Sequence, residues 1–97
     1  MWIAAAEFDI LLGDVRSLKQ KRSIVRPLVA ELRRFDISVA EVGYLDLHRR
    51  ALVGAAAVSS SAARAREVLD RAEDVVAEHP EFELLSVRRT LHSSDDA

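Results

Sequence analysis

The chain has 97 residues and no cysteine, and its 14 Lys and Arg against 16 Asp and Glu give a formal net charge of −2. That length makes one domain with a real core, able to bury roughly two thirds of its unfolded surface, and excludes a second. The cysteine count excludes disulfides and thiolate chemistry and suits a reducing, cytoplasmic setting, while the faintly acidic balance confines any polyanion site to a local patch.

The stretch from Met1 to Asp9 lacks a basic region ahead of its apolar residues, so it does not read as a signal peptide. No segment approaches the roughly 20 apolar residues of a membrane span, and no membrane association is expected. From Trp2 to Leu12 the residues alternate, with Trp2, Phe8 and Ile10 on one side and Glu7 and Asp9 on the other, as in a half-buried strand. Gly13 and Asp14 end it. Ser17 is a good N-cap and Gln20 completes a capping box, so a helix starts there and runs to about Arg34 with Leu18, Val25, Leu28, Val29 and Leu32 along one side. Pro27 lies inside it, which predicts a kink or break near Ser23.

Ile37 to Tyr44 and Arg50 to Val58 read as two strands joined by a hairpin at 45–49. After Ser59, Ser60 and Ser61, the residues Ala65, Val68, Leu69, Ala72, Val75 and Val76 follow the rhythm of an amphipathic helix, with Glu67 and Arg71 as an outer pair and Pro80 as its end. Phe82 to Leu91 is the last strand. The order is that of an α+β, ferredoxin-like βαββαβ domain over 1–92, a four-stranded antiparallel sheet with both helices on one face, followed by a polar tail at 93–97. The bare face would carry Ile3, Ala5, Glu7, Asp9 and Leu11 with small side chains from 51–57, and such a surface is expected to pair with a second copy as a homodimer.

Catalytic chemistry is not indicated. His48, His79 and His92 lack metal-ligand spacing, the serines sit where capping explains them, and three glycines form no phosphate-cradling loop. Asp46 and His48 fit a charged turn as well as an acid-base couple. Neither cofactor nor metal is expected.

The run Ser17-Leu18-Lys19-Gln20-Lys21-Arg22 is harder to explain by stability. At about 100° per residue, Lys19, Arg22, Arg26 and Arg33 share one stripe. The first two, with Lys21, stand near the helix N-terminus, where cations oppose the macrodipole at roughly 0.3–1 kcal/mol each. Lys21 falls near the apolar side and must reach the edge or find a carboxylate. Asp14, Glu41 and Glu7 are candidate partners for these cations, a merely solvated face is the other structural reading, and the functional reading is that the run meets an anion. RNA would be held by its phosphates, with Arg49 and Arg50 as further contacts. The third strand lacks the aromatics on which an RRM stacks bases.

The same run, with Arg34-Phe35, Ser38-Val39-Ala40-Glu41-Val42 and Asp46-Leu47, resembles the YlxP-like family of small bacterial proteins over nearly the whole chain. The resemblance implies a ferredoxin-like fold and no assigned reaction. It also implies association with ribosomes, since members are often encoded beside translation and ribosome-maturation factors. Gln20 replaces the family's usual Glu, and His48 stands where an aromatic commonly follows Asp-Leu. The expectation is a non-enzymatic accessory factor that uses Lys19, Lys21, Arg22 and Arg26, helped by Arg49 and Arg50, to dock on ribosomal RNA or a ribosome-maturation factor. A regulatory module for an anionic small molecule and a structural protein-interaction domain are the alternatives.

Overall fold

The computed structural model of the protein describes residues 1–95. Alternation dictates β1 (Trp2–Leu12): Ala4, Ala6, Phe8, Ile10 and Leu12 are buried, and the residues between them are not. After α1 (Leu18–Arg33) come β2 (Ser38–Gly43) and β3 (Arg50–Ser59), then α2 (Ala62–Glu78) and β4 (Phe82–Ser93). The four strands form one sheet in the order β2-β3-β1-β4, with every neighbouring pair antiparallel. This is the expected βαββαβ arrangement.

Register explains the core. Phe8 stands opposite Val53 and Val87, and Ala6 opposite Ala55, so the buried rows of β1 and β3 lie on one face. Leu69, Ala72 and Val76 of α2 and Val25, Leu28 and Leu32 of α1 join them in one buried cluster. Small residues on both sides, Ala4, Ala6, Ala55 and Ala57 beneath Ala65 and Ala72, let α2 lie close to the sheet centre. Phe8, Leu28, Leu32 and Leu69 are all but fully buried, each worth roughly 1.5–3 kcal/mol against exposure. The opposite face has no covering layer among the described residues.

Several local expectations need revision. Helix α1 runs unbroken from Leu18 to Arg33 through Pro27. Pro27 and Ser23 are both exposed, so the carbonyl that loses its intrahelical donor faces water, and no break follows at Ser23. The ion pairs on α2 are not between Glu67 and Arg71; Arg89 of β4 reaches Asp70 at 2.8 Å and Glu73 at 3.3 Å instead. The last strand also extends into the expected tail. Ser93 belongs to β4, and Ser94 exchanges hydrogen bonds with Met1, its N–H donating to the Met1 carbonyl (2.8 Å) and its hydroxyl accepting from the terminal ammonium (3.0 Å). The rest of that tail, 96–97, lies outside the described residues.

Candidate anion-binding face of the first helix

Helix α1 starts because Ser17, in extended conformation, accepts the Gln20 N–H at 3.1 Å. The Gln20 side chain bonds back, but one residue earlier than a standard capping box, accepting the Arg16 N–H at 2.6 Å. No acidic residue lies in the first turn. The helix therefore opens on cations alone.

Lys21 has a different fate from its neighbours. Its side chain is only 3% exposed, and its Nζ lies 2.7 Å from Glu41 Oε2 on β2 and donates to the Tyr44 carbonyl at 2.7 Å. Oε2 is itself buried and receives no well-directed hydrogen bond, so the ammonium is its charge partner rather than an ideally placed donor. A buried cation needs such partners, because removing it from water without them costs several kcal/mol.

Tyr44 sits at φ 57°, a left-handed conformation that a bulky side chain adopts only under constraint. Its carbonyl accepts from both Lys21 and the Leu47 N–H (3.0 Å). Lys21 thus fixes the end of β2 and the start of the hairpin. It leaves the expected RNA-contacting set, since its ammonium is committed inside the fold.

The remaining helix cations are exposed. Lys19, Arg22 and Arg26 have no ion-pair or hydrogen-bonding partner for their side chains among the described residues. Arg22 and Arg26, with Arg33, Val25, Val29 and Glu41, line a groove of about 560 Å³ between α1 and the sheet-edge strand β2. Arg33 closes one end, donating from Nη2 to the Val39 carbonyl at 2.9 Å. The groove combines an apolar floor with three guanidinium groups, a lining that favours an anion over a cation.

Arg49 and Arg50 do not join this row. Arg49 is exposed but braces the loop after β1, its Nε donating to the Gly13 carbonyl at 2.8 Å. Arg50 lies across the sheet from α1, where its Nη2 reaches both Asp9 carboxylate oxygens at 2.8 Å and its guanidinium stacks 4.8 Å from the Tyr44 ring centroid. The Asp9 hydrogen bonds hold the Arg50 pKa above its usual value, so it stays charged at any ordinary pH. Arg50 is therefore a component of the open sheet face. Sequence reading missed the Asp9–Arg50 pair, whose only signal was that both residues alternate onto the side away from the helices.

Among the described residues, no group of three or more His, Asp and Glu could hold a metal ion, and no helix is long and apolar enough to cross a membrane. His79 has a local role, its ring stacking on Phe82 at 4.4 Å and its Nδ1 accepting the Glu81 N–H.

Comparison with known proteins agrees with this picture of fold and family. The chain is similar to a de novo designed protein, LFR1 1, whose solution NMR structure has a ferredoxin fold; the TM-score is 0.56 at 13% identity, over 98% of this chain and 88% of that one. This likeness shows the fold. A protein of Bacillus subtilis (strain 168) named "Uncharacterized protein YlxP" is 34% identical over 82 residues, 84% of this chain and 89% of the relative. Residues 3–89 match the family described as "Protein of unknown function (DUF503)". With that match and that relative in hand, the chain belongs to the DUF503 family.

Proposed function

We propose that the protein is a non-enzymatic cytoplasmic factor that docks on ribosomal RNA through the exposed side of α1. Lys19, Arg22 and Arg26, with Arg33 at the end of the row, contact phosphates, and the contact carries little sequence specificity because no aromatic platform accompanies it. The observation that carries this reading is the isolation of these cations. Lys19, Arg22 and Arg26 share one stripe without an ion-pair partner among the described residues, and Lys19 and Arg22 also stand at the end of the helix dipole that disfavours cations, an arrangement that an external polyanion would stabilise.

Sedimentation of tagged protein with ribosomal subunits tests it. The protein should travel with a subunit at low salt and dissociate steeply as salt rises, as expected for phosphate contacts. Absence from every ribosomal fraction at low salt would end the reading.

The groove beside β2 favours one second reading, a regulatory site for an anionic small molecule. A thermal-shift screen separates the two, since a ligand at 100 times its Kd adds about 2.7 kcal/mol of stability.

A further inference from the structure

The side of the sheet that the helices leave bare has the makings of an interface. The exposed large apolar side chains of the described residues lie on strands, on the β2–β3 connection or at the N-terminus, and none is on α1 or α2. Val58 is 65% exposed and Val42 51%, and both stand on the bare face with the half-exposed Ile3. Between them lies a shallow dish of about 350 Å³ floored by Ala5, Ala40, Gly54 and Ala56. Gly54 shapes it: a Cβ there would stand 3.1 Å from Val42 Cγ1, so a side chain at 54 would push Val42 away.

The charged residues of this face are Glu7, Asp9 and Glu83 with Arg50 and Arg88, Glu83 standing at its end opposite Leu11. Asp9 is answered by Arg50 within the chain. Glu7 and Arg88 are cross-strand neighbours in the β1–β4 register, yet they form no ion pair. Across a twofold axis Glu7 of one copy and Arg88 of the other are complementary in charge. The area is also adequate. Four strands about 4.8 Å apart, of 6 to 12 residues at about 3.4 Å each, make a flat face of roughly 650 Å², within the range of the roughly 600–1,000 Å² per partner that stable interfaces bury.

We propose that this face binds a second copy of the chain, giving a homodimer in which two sheets pack face to face, the dish of each copy receives apolar side chains of the other, and Glu7 pairs with Arg88 of the partner subunit. Both α1 rows then point outward, free of the interface, so this inference stands or falls separately from RNA docking.

Sedimentation equilibrium at micromolar concentration should return twice the 10.8 kDa chain mass. The double variant Val42→Asp/Val58→Asp should fall to the single-chain mass with an unchanged circular dichroism spectrum. Charge reversal provides a second test that does not depend on that variant's folding. Glu7→Arg alone should weaken the dimer at least about tenfold, and Glu7→Arg/Arg88→Glu should restore most of the loss. A wild-type monomer, or a dimer indifferent to both the apolar and the charge substitutions, would overturn the proposal.

Discussion

Lys21 and Arg22 are adjacent in sequence, but about 100° of helix rotation places them in opposite worlds. One is sealed against Glu41 and the Tyr44 carbonyl; the other stands in solvent beside Lys19 and Arg26. The side that carries Lys21 also carries Val25, Leu28 and Leu32, the residues that dock α1 on the sheet. A basic run on a helix is therefore two things at once here. Its inward cation builds the hairpin, and its outward cations are left available to a partner.

Substitutions on the two sides should separate stability from binding. The largest effect on folding is expected from Lys21→Met, which strands a mostly buried carboxylate and should lower stability by about 2–4 kcal/mol in a denaturant titration. Adding Glu41→Leu should cost less than the sum of the two single changes, because the pair is then removed together. Equal and additive losses would mean that the pair does not hold β2 and its hairpin.

Pro27→Ala should act in the other direction. It restores a backbone donor in an exposed helix interior and should raise stability by about 1–3 kcal/mol, read as an increased thermal midpoint, with RNA affinity unchanged. Ser17→Ala removes the N-cap and should cost about 1 kcal/mol without altering the charge of the exposed row. The smallest folding effect belongs to Lys19→Ala/Arg22→Ala/Arg26→Ala. Relief of repulsion with the helix dipole should leave the domain as stable or more stable by a few tenths of a kcal/mol. A loss of several kcal/mol would show that these side chains have structural partners after all.

The element order, the buried side of β1 and the rhythm of α2 were legible because strand and helix periods are local properties of the sequence. The same periodicity marked Lys21 as a cation that had to reach the edge or find a carboxylate, and Glu41 was within the candidate set. What could not be read was the choice of Glu41 together with a backbone carbonyl, since that depends on the β2–β3 register and its irregularity between Glu41 and Gly43. The pairs Asp9–Arg50 and Arg89–Asp70 were invisible for a similar reason. Their partners come from distant elements that only the assembled sheet brings together. Pro27 misled because an internal proline reads as a breaker, whereas its position on the solvent side of α1 lets water satisfy the freed carbonyl.

Salt dependence of RNA binding tests the account most directly. Binding of a ribosomal RNA fragment by the wild type and by Lys19→Ala/Arg22→Ala/Arg26→Ala should be followed from low to physiological salt. The wild type should lose affinity steeply, and the triple variant should bind more weakly with a log–log slope shallower by roughly three contacts, while Lys21→Met, measured where it remains folded, keeps the wild-type slope. Equal slopes for the wild type and the triple variant would contradict the division of α1 into a structural and a docking side.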